Sequence, residues 1–80
     1  MTTVESFVIY PDGEEQEIFW PLSINMLVDL NGRPLGLPLK THRIIAYRVV
    51  KMRRTDGIGT ETTRYHLELV NADELIGFIG

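Results

Sequence analysis

The 80-residue chain is predicted to fold as a mainly β domain, a small antiparallel barrel or strongly bent sheet of five to six strands with a short C-terminal helical turn. Three observations lead there. Stretches rich in β-branched and aromatic residues recur between turn signals, and the longest spans residues 42–54 without Gly or Pro. Tyr65, Leu67 and Leu69 alternate with Arg64, His66 and Glu68, the period of a strand with one face covered. The last ten residues begin with a helix start signal followed by apolar residues on one face.

Residues 5–10 have strand composition and run into Pro11-Asp12-Gly13. That turn has a mechanism: Pro presets φ, Asp suits the next position, and Gly takes the left-handed conformation a following bulge needs. Residues 14–20 return as a second strand. Its start (Glu14, Glu15, Gln16, Glu17) is too acidic for a buried strand and reads as a solvated ribbon end, whereas Ile18, Phe19 and Trp20 make both faces apolar near the base. Pro21, with no N–H to donate, ends the pairing.

Residues 22–39 admit two readings. A short helix would use Ser23 as its cap, Ile24, Leu27 and Val28 as its apolar face and Asn31-Gly32 as its stop. A hairpin would join residues 26–30 to 33–39 through a two-residue Asn31-Gly32 turn. The hairpin is preferred because it sets Leu30 opposite Arg33 and puts Pro34 and Pro38 at positions whose missing N–H points away from the ladder.

Residues 42–54 form the central strand, 55–60 a loop, and 61–70 the partner strand. For Tyr65, Leu67 and Leu69 to meet Val49, Tyr47 and Ile45, paired residue numbers must have an even sum, and Arg48 then faces His66 or Glu68. At residues 71–80 Asn71 can cap a helical turn whose dipole Asp73 and Glu74 complement, with Leu75, Ile76 and Ile79 on a face that would plug one end of the barrel. Length and strand count match a small barrel of SH3-like size.

A single domain this small has a thin core, and disulfides, a metal or self-association are the usual supplements. With no Cys and two His, disulfides and thiolate zinc sites are excluded. The start of the chain lacks the basic and apolar segments of a secretory signal and no stretch suits a transmembrane helix, so the expected location is cytoplasmic.

Net charge is −3, distributed in blocks: −6 over residues 1–32, +7 over 33–54 and −4 beyond. In a meander such blocks neutralise one another across strands.

No catalytic constellation assembles. Ser6 and Ser23 lie in no nucleophile motif, and Asp56-Gly57-Ile58-Gly59 lacks the Lys-Ser/Thr of a phosphate loop. The expectation is therefore a protein without enzymatic activity or cofactor. His66 and Glu68 share a strand face and could serve a metal or a proton transfer, but such pairs are more often surface ladders.

The central strand carries a second apolar row, Ile44, Ala46, Val50 and Met52, beyond what one thin core can hide. With Ile58 at a loop tip and Trp20 on the first ribbon it forms the expected partner interface. The function expected from it is protein interaction, as a homodimer or a small subunit of a larger assembly. The alternative is a barrel that binds single-stranded nucleic acid through Arg43, Arg48, Lys51, Arg53 and Arg54. Arg43, Lys51 and Arg53 also have a structural explanation, as charges that keep a strand edge from aggregating.

Overall fold

A computed structural model describes residues 3–79. Met1, Thr2 and Gly80, which belong to the terminal segments read above, lie outside the described residues. Among the described residues five strands and one helix follow in the order β1 (Thr3–Ile9), β2 (Glu15–Ile18), β3 (Leu27–Val28), β4 (Ala46–Gly57), β5 (Thr60–Val70) and α1 (Ala72–Ile76). They form one sheet of order β2-β1-β5-β4-β3, curled into a half-barrel. The mainly β class, the bend and the terminal helical turn are as the sequence predicts.

One pairing is not antiparallel. β1 runs parallel to β5, from Thr3 beside Thr60 to Ile9 beside His66. That contact makes β5 the middle of the sheet and moves β4, the expected centre, one place outward.

The first turn forms as its residues dictate. The Gly13 amide donates to the Tyr10 carbonyl, Tyr10 N–H donates to Glu14 O, and Gly13 has φ of +92°. Asp12 Oδ1 accepts from the Glu14 amide at 3.0 Å, fixing the entry to β2.

In residues 22–39 a hairpin forms, but only as far as Leu35: residues 36–39, with Pro38, do not extend it as expected, and Leu39 instead donates its N–H to Phe78 O and bridges Ile79. Val28 bridges Pro34 in antiparallel sense, flanked by bonds from Asp29 N–H to Arg33 O and from Leu35 N–H to Leu27 O, so Pro34 sits where no N–H is needed. The loop is one residue longer than a two-residue Asn-Gly turn. Asp29, not Leu30, pairs with Arg33, because its Oδ1 accepts from the amides of both Asn31 and Arg33 and draws the chain around it.

The register between β4 and β5 has the expected parity as far as Val49 and Leu67, and Arg48 faces Glu68. A bulge then intervenes: after Val49 the next pair is Lys51 with His66, so every residue beyond it changes face. The expected six-residue loop contracts to Ile58 and Gly59, with Gly57 paired to Thr60 and Gly59 at φ +77°. Conversely, residues 42–45 lie before the strand rather than in it.

Two small cores occupy opposite faces. On the inner face Val8, Ile18, Val28, Val49, Tyr65 and Leu67 pack together beneath Leu22. On the outer face, at the C-terminal end of β5, Ala46, Val70, Leu27 and Leu39 pack around Leu75 of α1. The helix therefore covers the back of the sheet instead of plugging a barrel mouth. Asn71 caps it as expected, its Oδ1 accepting from Glu74 N–H at 2.8 Å. Of the expected apolar face only Leu75 is buried, while Ile76 and Ile79 are exposed.

The half-barrel is held shut by side chains. Three successive carbonyls of the Asp29–Arg33 turn, those of Leu30, Asn31 and Gly32, accept from Tyr10 Oη at 2.8 Å, Gln16 Nε2 at 2.9 Å and Trp20 Nε1 at 2.9 Å. The turn thus lies as a lid over the inner core, with Gly32 against Val8 and Ile18.

Candidate interaction site

The most exposed regular structure in the chain is the far half of β4. Along β4, β3 reaches Tyr47 and Arg48, and the loop before it closes on Val49, whose N–H donates to Met26 O and whose carbonyl accepts from Asn25 N–H. Beyond Val49 every residue of β4 is exposed, in an arm that contributes to the 45 Å length of the molecule. Its inner side is fully paired with β5 and its outer side has no strand beside it among the described residues.

The direction of each backbone group on that arm follows from the ladder. Gly57 and Thr60 flank a two-residue turn and form a hydrogen-bonded pair, so Thr55, Arg53 and Lys51 also bond inward to β5. Met52, Arg54 and Asp56 therefore point their N–H and C=O groups away from the sheet. An edge of this kind can receive another strand.

Of the residues expected at a partner interface, Val50 and Met52 are nearly half exposed and Ile58 fully so. Ala46 has no exposed surface and Ile44 packs beside it against the core around Leu75. Trp20 is spent internally as well: its ring packs on the inner core, its indole N–H holds Gly32, and the Arg33 guanidinium lies 4.8 Å from its centroid. The apolar row expected to face a partner is thus divided at the bulge between the core and the free edge.

The basic residues are likewise divided. Lys51 and Arg53 face outward from the sheet beside His66 and Arg64, in a row that continues to Phe7 and Ile9 of β1. Arg64 stacks over Phe7 and reaches Glu15 at 3.9 Å. Arg54, shifted by the bulge to the inner face, pairs with Glu61 at 3.4 Å. Arg48 pairs with Glu74 of the helix, and Arg43 sits in the irregular segment before β4. These ion pairs join the basic block to its acidic flanks. His66 and Glu68 do share a face, with Lys51 and Arg48 opposite them, and no cluster of three metal-ligating side chains occurs among the described residues.

An open cleft of about 450 Å³ lies between the first turn and the Asp29–Arg33 lid, floored by Tyr10, Tyr47 and Leu69 and edged by Leu30, Asp12 and Glu14. Tyr10 and Tyr47 meet edge to face with centroids 5.2 Å apart. Burial, then the neighbouring Tyr47, Asp29 and Glu14, raise the Tyr10 hydroxyl above its ordinary pKa. Nothing in the sequence marks this cleft, because its walls come from four separate segments.

A family model described as "Uncharacterised Treponema protein" matches residues 2–78. The chain belongs to that family. No curated protein and no solved structure matches it. The match spans both hairpins, the lid and α1. No helix among the described residues is long and apolar enough to cross a membrane.

Proposed function

We propose that the protein is a non-enzymatic, cytoplasmic interaction module, a homodimer or a small subunit of a larger assembly, that engages its partner by strand addition to the outer edge of β4. The observation that carries this is the run from Val50 to Gly57, which is extended, exposed and unpaired along its outer side. Main-chain bonds at Met52, Arg54 and Asp56 supply the affinity in such a mode, and alternate side chains supply the choice of partner. Lys51, Arg53 and Arg54 discourage indiscriminate pairing, as charges on an edge do. The absence of Cys suits a reducing compartment.

Photo-crosslinking tests this. A photoreactive residue in place of Arg54 should yield a discrete protein adduct, and the same residue in place of Ile76, on the helix, should not. Adding Asp56→Pro, which blocks the edge without removing a bond to β5, should abolish the adduct. Equal labelling from both positions, or none from position 54, would remove the proposal.

A second reading is favoured by one observation, the row of Lys51, Arg53, Arg64 and His66 beside Phe7 on the outer face. Such a face suits stacking of single-stranded bases with phosphate contacts. It requires affinity that falls steeply with salt, and loss of binding in Arg53→Glu, whereas Arg54→Glu on the other face should matter less.

A further inference from the structure

We infer that the strand added to β4 is β4 of a second copy, paired antiparallel about a two-fold axis through Thr55. This rests on the edge-pairing reading above and specifies its partner. In an isologous antiparallel pair one residue lies opposite its own copy, and the register decides which residues meet. The charges on the arm choose among the registers. Centring the axis on Arg53 or Arg54 sets guanidinium against guanidinium, and centring it on Asp56 sets carboxylate against carboxylate. A parallel pairing near register lays every base beside its own copy. Like charges directly opposite are destabilising on a strand.

Centring on Thr55 removes each of these conflicts. Arg54 then lies opposite Asp56 of the other copy, twice by symmetry, and the outward-pointing backbone groups of the same two residues form the hydrogen-bonded pair. Met52 lies opposite Ile58, again twice, which covers the fully exposed side chain at the arm's tip. Lys51 and Arg53 fall beside Gly59 and Gly57, where no side chain opposes them. Within one copy Asp56 sits directly across from Glu61, two carboxylates together, and no ion pair involves Asp56 among the described residues. Glu61 is met by Arg54 of its own copy at 3.4 Å, and the second copy's Arg54 brings the counter-charge that Asp56 lacks. The result is one continuous ten-stranded sheet built from two five-stranded halves.

The absence of cysteine makes the test direct, since any thiol introduced is the only one. Thr55 faces itself in a non-hydrogen-bonded pair, where Cα atoms lie about 4.5 Å apart, inside the range a disulfide spans. Full-length Thr55→Cys should therefore convert to a disulfide dimer under mild oxidation, with near-complete loss of monomer, while Arg53→Cys and Arg54→Cys cross-link only slowly. Arg54→Asp alone and Asp56→Arg alone should each lower the solution mass toward monomer, and the double swap should restore the dimer, which a merely misfolded variant would not do.

Fastest cross-linking at position 53 or 54 would overturn the register, and so would failure of the double swap to recover association. A wild-type chain monomeric at every concentration, with no position cross-linking, would overturn the second copy as partner. In that case photo-adducts from position 54 to a different protein would leave the edge reading standing, and their absence would end both.

Discussion

Replacing Gly32 with Ala probes the closure of the half-barrel at its tightest point. Two effects add there. Gly32 has φ of +79°, which a residue with a Cβ adopts at a cost of about 1–2 kcal/mol. The new methyl would also lie 3.3 Å from Val8 Cγ2 and 3.4 Å from Ile18 Cγ2, both in side chains with almost no exposed surface. Crowding of a packed core by one methyl adds roughly 1–3 kcal/mol. The expected loss is therefore about 2–5 kcal/mol, against a total stability on the order of 4–12 kcal/mol for a chain this long.

Gly13→Ala is the internal control. Gly13 also has positive φ, at +92°, but a Cβ there meets nothing within 4 Å. It should cost only the backbone part, about 1–2 kcal/mol. Urea unfolding of both variants gives the comparison, with the midpoint moving and the slope unchanged if the native state keeps its extent. Equal losses at the two glycines would refute the lid packing, since only Gly32 is placed against the core.

Three further outcomes follow from the same geometry. Trp20→Phe keeps an aromatic ring, though a smaller one, and leaves the Gly32 carbonyl without its donor; it should cost at least on the order of 1 kcal/mol by chemical denaturation. Leu75→Ala empties the centre of the outer core and should cost about 2–4 kcal/mol while leaving β1–β2 pairing intact in amide exchange. The raised pKa of Tyr10 means that the folded state holds this proton more tightly than the unfolded chain does. Stability from this source is constant below the unfolded value of about 10 and declines as pH climbs from there through the folded pKa. Tyr10→Phe should flatten that alkaline decline, as read by thermal unfolding across the range.

Local chemistry made much of the fold legible. Pro11-Asp12-Gly13 closes its turn through its own residues, Asn71 caps its own helix, and the alternation of Tyr65, Leu67 and Leu69 fixed parity against Tyr47 and Val49. Each of these is decided within a few residues or by one repeated pattern. The bulge after Val49 has no such marker, since nothing distinguishes Val50 from its neighbours, yet it decides that Arg54 and Asp56 lie on the inner face while Arg53 lies on the outer. The same shift explains why the candidate interface divided: Ala46 and Ile44 lie before the bulge, where α1 covers them, and Met52 lies past it on the free arm. The parallel contact of β1 with β5 and the hold of Tyr10, Gln16 and Trp20 on the lid join residues far apart in the chain. No local signal encodes them. Asp29 does carry a local signal: an Asp two residues before an Asn-Gly pair offers its carboxylate to the very amides that lengthen the loop.

Amide exchange along β4, followed by NMR at increasing protein concentration, tests the open edge most directly. In dilute solution the amides of Arg53 and Thr55, bonded to β5, should be protected while those of Met52, Arg54 and Asp56 exchange freely, and the second set should gain protection as concentration rises. Protection of all five residues alike in dilute solution, or free exchange of the second set at every concentration, would contradict an edge built to receive a second copy.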